Sequence, residues 1–165
     1  MQCSTLTEQA RHWAKVQPET IWMRDLFEGG STDYTWGAAV AELDRVAAWL
    51  EAEFAHGQHM ALLSRNRAHW IMADMGIIHS GNVTVPLFTT HAQATAEYIL
   101  DFTDTQVLFL GETENWEGVK AVLPEDCLIV TLPGADCDLP HTKWEQLVAE
   151  APSDAPAYEP LADDT

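Results

Sequence analysis

Residues 60–88 read MALLSRNRAHWIMADMGIIHSGNVTVPLF and carry the pattern that decides the fold. Met60–Ser64 is a short continuous apolar run, which is typical of a strand buried on both faces of a parallel sheet. Asn66 is a residue type that caps helices, and the spacing that follows predicts a helix over Arg67–His79, ended at Gly81. Val83–Phe88 then reads as a second strand. The stretch therefore predicts one β-α-β unit.

Upstream of this unit, the sequence predicts a helix, a hairpin and a long second helix. Thr5 or Thr7 can cap the first helix. The strand Thr20–Phe27 turns back at Gly29-Gly30-Ser31 into a short strand ending at Thr35, so a hairpin is expected over about residues 20–35. Thr35 is also placed to cap the second helix, whose apolar residues through Leu50 follow the i, i+3, i+4 spacing of an amphipathic helix.

Downstream, helices and strands alternate at the spacing of right-handed crossovers. The predicted elements are helix Ala92–Phe102, strand Gln106–Leu110, helix Trp116–Val122, strand Leu128–Leu132 and helix Trp144–Glu150. Pro86 cannot donate to a strand ladder, so its strand lies at an edge of the sheet or ends there. We expect an α/β fold over residues 1–150, with a largely parallel doubly wound sheet flanked by helices, and a Pro-rich acidic linker over 151–165.

The charge balance excludes two classes of partner. The 165 residues carry 8 Lys plus Arg against 26 Asp plus Glu, a formal net charge of −18. Residues 91–165 hold 16 of the acidic and 2 of the basic side chains. A surface of this sign repels nucleic-acid backbones and anionic membranes. The 3 cysteines, an odd number, and the absence of a hydrophobic signal segment favour a cytoplasmic protein, and no apolar run is long enough for a transmembrane span.

Few residues carry a recognisable chemical pattern. No GxGxxG and no GxxxxGK[ST] occurs, so an independent nucleotide site is not expected. His56 and His59, and separately the group Asp136, Cys137, Asp138 and His141, are interpreted as turn residues rather than metal ligands. His79 and His91 are interpreted as helix-end and loop histidines rather than acid/base groups. Asp74, inside an apolar helix, is expected to pair with Arg67, Arg65 or a backbone amide.

Three segments resemble a known family. Tyr34-Thr35-Trp36 with the helix that follows, then LLSRNRAHW and SGNVTVPLF within residues 60–88, then AEYILDFTDTQVLFLG at 96–111 resemble the N-terminal region of AMP-forming long-chain acyl-CoA synthetases. These enzymes belong to the adenylate-forming superfamily. The resemblance runs from about Thr20 to Thr165. Its acidic end, Leu161–Thr165, is similar to the approach to the phosphate-binding loop of the family.

The resemblance implies a fragment without the catalytic machinery. The phosphate-binding loop, the ribose-binding Asp and the catalytic Lys of the family lie downstream, so no catalytic, cofactor-binding or metal residue is expected here. ATP, Mg and CoA would serve the full-length enzyme, and the remaining subdomains would be partners of this one. The family residues matched here are structural: Thr35, Asn66, Trp70, Gly81 and Pro86. Without its partners the fragment is expected to expose an apolar face, which is either covered by self-association or left as an adhesive patch.

Three functional hypotheses follow. The first is an N-terminal fragment of a long-chain fatty acid CoA ligase, cytoplasmic and peripheral to the inner membrane through its fatty acid substrate. The second keeps the superfamily but makes the substrate an aryl acid or an amino acid. The third is a stand-alone flavodoxin-like binding module, which would need a ligand site at the carboxyl ends of the strands.

Overall fold

A computed structural model describes residues 5–152 and residue 158. The chain forms six helices and seven strands within these residues. In chain order they are α1 (Leu6–Val16), β1 (Ile21–Phe27), β2 (Gly30–Thr35), α2 (Trp36–Glu53), β3 (His59–Leu63), α3 (Ala68–His79), β4 (Val83–Leu87), α4 (Gln93–Thr103), β5 (Val107–Leu110), α5 (Trp116–Lys120), β6 (Leu128–Thr131), β7 (Thr142–Lys143) and α6 (Trp144–Glu150).

The main sheet confirms the predicted fold class. Its 5 strands are all parallel and follow the order β4-β3-β5-β6-β7. The chain first crosses from β3 to β4 on one side and then returns to place β5 on the other, which makes the sheet doubly wound. Pro86 lies in β4, which pairs only with β3 among the described strands. An edge strand can hold a residue without an amide hydrogen.

The strands alternate between two apolar cores, one on each face of the sheet. Met60 and Leu62 of β3 join α1, α2, α3 and α6 in the larger cluster. Ala61 and Leu63 point to the smaller cluster, which α4 and α5 cover. Because side chains alternate along a strand, one continuous apolar run supplies both cores. Residues 60–63 are accordingly buried without exception.

The helix boundaries follow local capping chemistry. Thr5 and Glu8 form a reciprocal capping box at α1. The hydroxyl of Thr35 accepts a hydrogen bond from the Ala38 amide at 3.3 Å, at the start of α2. Gly81 follows the end of α3 with a φ of +73°, a left-handed conformation that a side chain would strain.

One strand of the sheet was not predicted. β7 has only 2 residues, Thr142–Lys143, and pairs with Val130–Thr131 of β6. The expected linker at residues 151–165 lies outside the described residues except for three positions. Of these, Ala151 is buried in the larger core cluster, and the Tyr158 ring lies 4.8 Å from that of His56. The linker over 151–165 therefore stays a prediction.

Two polar residues of α3 have surroundings that the sequence did not indicate. Asp74 is half-buried, and its predicted pairing with an arginine is wrong, because Arg65 and Arg67 pair with Glu112 and Glu114. Burial raises the pKa of Asp74, an effect that the Thr84 hydroxyl partly offsets. His79 is 2% exposed, and neither ring nitrogen has a hydrogen-bond partner among the described residues. No helix in the described part of the chain is long and apolar enough to cross a membrane.

His79 makes the fold sensitive to acid. Burial, together with the positive charge of Arg11, lowers its pKa from 6.5 to about 4, although Asp44 and Glu51 oppose the shift. Between these two values the unfolded chain holds a proton on this residue that the folded chain does not. The contribution of neutral His79 to the free energy of unfolding is therefore fully present above pH 6.5. It is lost as the pH falls toward 4, which lowers the free energy of unfolding by at most about 3 kcal/mol.

We expect the His79→Leu variant to lose less stability than the wild type when the pH is lowered from 7 to about 4. Urea unfolding at several pH values measures the difference. The carboxylates titrate in both proteins, so the difference between the two pH profiles isolates His79. Parallel profiles would show that His79 does not titrate differently on unfolding.

Candidate functional site

The carboxyl ends of three neighbouring strands line a cleft of about 210 Å³. Ser64 follows β3, Gly111 and Glu112 follow β5, and Pro133 lies beyond β6. The cleft lies where the chain order of the strands reverses, between β3 and β5. Open α/β sheets bind ligands at this position, because the loops of the two neighbouring strands diverge there. The fold brings these strand ends together.

The β1–β2 hairpin forms the outer wall of the cleft and is fastened to α3. The Asp25 carboxylate accepts a hydrogen bond from the amide of Ala68, the first residue of α3, at 2.9 Å. The Arg67 guanidinium donates to the carbonyl oxygen of Leu26 at 3.1 Å. The prediction that Asn66 caps this helix is wrong, because the cap position is Arg67 and makes no side-chain cap bond. A carboxylate 43 residues earlier in the chain supplies the missing acceptor.

Paired charges close the rim of the cleft. Arg67 donates to one oxygen of Glu112 at 2.6 Å. Arg65 donates to the other Glu112 oxygen at 3.4 Å and also contacts Glu114. The hydrogen bond from Arg67 is the main reason that the pKa of Glu112 lies below its ordinary value. The positive charge at the rim is thus neutralised by carboxylates of the same chain.

A buried histidine lines the inner end of the cleft. His69 is 8% exposed, and its Nε2 atom lies 3.6 Å from a carboxylate oxygen of Glu42. The rings of Tyr34 and Trp144 stand edge-on to it, with centroids 5.3 and 5.2 Å away. Trp144 donates its indole N–H to the same Glu42 oxygen at 2.7 Å. His69 therefore links the hairpin to α2 and α6.

The electrostatics of this group follow from partial burial. Burial raises the pKa of Glu42, but the neighbouring His69 and the hydrogen bond from Trp144 outweigh it, so that this pKa is lowered overall. Burial raises the pKa of Tyr34, and the negative charges of Asp25 and Glu42 add to the effect. Sequence reasoning missed this group. The one available signal was a histidine next to Ala68 at the start of an apolar helix.

The residues that the sequence analysis considered and set aside as metal ligands or acid/base groups make local contacts. Asp138 accepts from the Trp116 indole at 3.0 Å and pairs with Lys120. His141 bonds the carbonyl oxygen of Leu139 at 2.8 Å. His91 packs edge-on against the Phe88 ring, at 5.1 Å. Within the described residues, no three His, Cys, Asp or Glu side chains come close enough together to hold a metal ion.

The structure also places the remaining residues given a structural role by the resemblance. Trp70 is half-buried against the larger core cluster, two residues after the start of α3. Thr35, Gly81 and Pro86 lie at a helix start, a helix end and an edge strand. None of these residues, nor Asn66, lines the cleft.

A magnesium–nucleotide complex would find the arginines of this chain already paired. Such a complex needs oxygen ligands for the ion and free cations or backbone N–H groups for the phosphates. Each of the five arginines is already engaged within the chain. Carboxylates pair with Arg11, Arg24, Arg65 and Arg67, and the carbonyl oxygens of Val148 and Ala149 accept from Arg45.

The sequence profile of AMP-binding enzymes matches residues 10–164, and the chain belongs to this family. A CoA ligase for a methyl-dioxo-octahydroindenyl propanoyl group, from Rhodococcus jostii, is 32% identical over 106 residues. Those residues are 59% of this chain and 20% of that protein. The long-chain-fatty-acid–CoA ligase FadD15 of Mycobacterium bovis is 27% identical over 64% of this chain and 18% of its own length. The chain thus spans a fifth or less of these relatives.

Solved structures share the fold. Acetoacetyl-CoA synthetase from Streptomyces lividans superposes with a TM-score of 0.80 at 18% identity, covering 94% of this chain and 26% of that one. The N-terminal domain of FACL13 from Mycobacterium tuberculosis gives 0.74 at 21% identity, covering 98% and 40%.

Removing the carboxylate of Asp25 should weaken the fold. We expect Asp25→Ala to lower the free energy of unfolding by about 1 kcal/mol, because the Ala68 amide loses its acceptor at the start of α3. Asn66→Ala is the matched control and should change stability by less than about 0.5 kcal/mol. Urea unfolding measures both variants. A larger loss of stability in Asn66→Ala than in Asp25→Ala would show that Asn66 caps the helix.

The contact between β3 and β5 at the cleft tolerates no side chain on Gly111. A Cβ there would collide with both the Cβ and the hydroxyl of Ser64. We expect Gly111→Ala to cost about 1–3 kcal/mol of stability through overpacking. In the double variant, which carries both Ser64→Gly and Gly111→Ala, the loss of stability should be much smaller than the sum of the two single losses. The Ser64 atoms that would collide with the new Cβ are absent from it. Additive losses would show that the two positions do not interact.

Proposed function

We propose that the chain is the N-terminal α/β subdomain of an ATP-dependent acyl-CoA synthetase that activates long-chain fatty acids. In the reaction we assign to the whole enzyme, the fatty carboxylate attacks the α-phosphate of ATP and releases pyrophosphate. The CoA thiol then displaces AMP from the acyl-adenylate to give acyl-CoA. The observation that carries the proposal is the family match over residues 10–164.

The substrate assignment rests on the relatives. Two of the curated relatives are ligases whose names specify long-chain fatty acids, at 29% and 27% identity. Other relatives include a nonribosomal peptide synthetase, matched over 1% of its length, and benzoate and anthranilate CoA ligases share the fold. An aryl acid or an amino acid is therefore the second candidate substrate. A cytoplasmic enzyme, peripheral to the inner membrane through its fatty acid, fits the first candidate.

The subdomain by itself is assigned no catalytic step. The arginines at the cleft are neutralised by Glu112 and Glu114, and Asp25 also lines it, so a triphosphate entering the cleft would meet more negative than positive side chains. In the whole enzyme, Mg²⁺ would offset the charge that develops on the phosphates. The groups that hold ATP, Mg²⁺ and CoA would come from the rest of the enzyme. A stand-alone flavodoxin-like module shares the strand order, but the family match favours the ligase.

Titration calorimetry of the 165-residue chain tests whether the subdomain is complete. We expect no binding of magnesium–ATP with a dissociation constant below about 1 mM. The protein made from the whole parent reading frame is the positive control and should bind ATP. Micromolar binding to the short chain would contradict its assignment as a catalytically incomplete subdomain.

Pyrophosphate release by the parent protein tests the substrate class. With CoA and ATP present, hexadecanoate should give a kcat/KM at least about tenfold above that for benzoate, because a pocket shaped for an alkyl chain gains binding energy with each methylene. A preference for benzoate or for an amino acid would replace the first candidate substrate with the second. A reading frame that holds no ATP-binding loop would overturn the proposal as a whole.

A further inference from the structure

The carboxylates of this chain far outnumber the cations that could pair with them. The sequence holds 26 Asp plus Glu against 8 Lys plus Arg. Within residues 5–152 and residue 158, the carboxylates that form ion pairs with arginine or lysine are Asp33, Asp44, Glu112, Glu114, Glu117 and Asp138. These pairs engage Lys120 and every arginine except Arg45, whose guanidinium donates to carbonyl oxygens. Few cations are therefore left for the other carboxylates.

Exposed carboxylates without such a partner gather where β5 and β6 begin. Asp104 lies just before β5, and Asp126 lies just before β6. The two strands are parallel neighbours, and the Leu128 amide donates to the Gln106 carbonyl oxygen at 3.0 Å. The amino ends of neighbouring parallel strands lie at one edge of a sheet, so these segments meet there. We call their exposed carboxylates the acidic edge, which consists of Asp101, Asp104, Glu125 and Asp126.

Asp104 is placed against the local preferences of the backbone. It follows the last residue of α4 with a φ of +48°, a left-handed conformation that glycine adopts most easily. The carbonyl groups at the end of a helix carry partial negative charge, which repels the carboxylates of Asp101 and Asp104. The last turn of α4 holds no basic residue. Asp101 also lies four residues after Glu97, and like charges at that spacing repel each other on a helix.

The cation nearest the acidic edge in the described part of the chain is already in use. Lys120 lines the same groove as Glu125 and Asp126. Its ammonium group pairs with Asp138 and lies 3.5 Å from Glu117, so one positive charge is shared between two carboxylates. The acidic edge therefore keeps its negative charge.

The dissolved salt decides how strongly these charges act on the fold. The distance over which charges interact falls from about 30 Å at 0.01 M salt to about 3 Å at 1 M. At low salt, repulsion thus extends across a domain of this size, whereas at high salt it is confined to groups in contact. Salt also weakens the exposed ion pairs, but each of these contributes little to stability. Because carboxylates outnumber cations so strongly, screening removes more repulsion than attraction.

We propose that this fold depends on dissolved salt. Repulsion among carboxylates without a cation, at the acidic edge above all, destabilises the folded chain at low ionic strength, and mobile ions restore its stability by screening. The ions form a diffuse atmosphere and occupy no fixed site. The chain is thus suited to surroundings rich in salt, where its net charge of −18 also opposes aggregation.

Urea unfolding at two salt concentrations tests the dependence. At neutral pH, the midpoint should rise by at least about 1.5-fold between about 0.02 M and about 0.5 M potassium chloride. Tetramethylammonium chloride should have the same effect, because screening depends on ionic strength and not on the chemistry of the cation. A midpoint that is constant or falls with salt would overturn the proposal. A rise with potassium alone would indicate a bound cation and would overturn the diffuse atmosphere.

Two charge-removing variants separate repulsion from other effects of salt. Asp104→Asn should raise the urea midpoint at low salt, and this gain should shrink at least about threefold at high salt. Asparagine also tolerates the left-handed conformation, so the variant changes the charge with little effect on the backbone.

Asp33→Asn is the matched control, because Asp33 is also exposed but pairs with Arg24. It should lower the midpoint at low salt, opposite in sign to Asp104→Asn. Effects of salt on apolar burial are shared by both variants, since their cores are the same. A gain from Asp104→Asn that is equal at both salt concentrations would assign it to the backbone and contradict the role of repulsion. So would changes of the same sign in the two variants.

Discussion

The burial of β3 on both faces is the constraint on which the rest of the structure depends. Residues 60–63 have no exposed side, so helices must cover the sheet above and below. The chain meets this requirement by crossing to β4 through α3 on one face and returning to β5 through α4 on the other. The reversal of direction that follows is what opens a cleft beside β3 and β5. The candidate site is thus a consequence of the way the central strand is buried.

Charge pairing within the chain determines what this cleft can do. A net charge of −18 leaves few cations, and the two arginines nearest the cleft are bound by Glu112 and Glu114. The arginines at the cleft are therefore neutralised by carboxylates. The hairpin forms one wall of the cleft and is held against α3 by the hydrogen bonds of Asp25 and Arg67. We infer that the phosphate chemistry of the family belongs to other parts of a larger protein.

The elements that were predictable are those whose pattern repeats. Helix α2 was recognised because its apolar residues recur at helical spacing over 18 residues, and β3 because a short apolar run has few other interpretations. Strand β7 was missed because 2 residues cannot show a period. Asn66 was misassigned because the rule for caps considers only neighbours in sequence. The arginine partner predicted for Asp74 was also wrong, because Arg65 and Arg67 pair instead with Glu112 and Glu114, which lie far from them in sequence.

By itself, the sequence determined the class of fold, the order of its helices and strands, and the family resemblance, because each depends on local periodicity or on a run of matched residues. Only the tertiary structure decided which distant side chains share a site. Asp25 meets the start of α3, and His69 meets Glu42 and Trp144, through contacts between residues 27 to 102 positions apart in the chain. Such contacts follow from the packing of whole elements, which no short window of sequence contains.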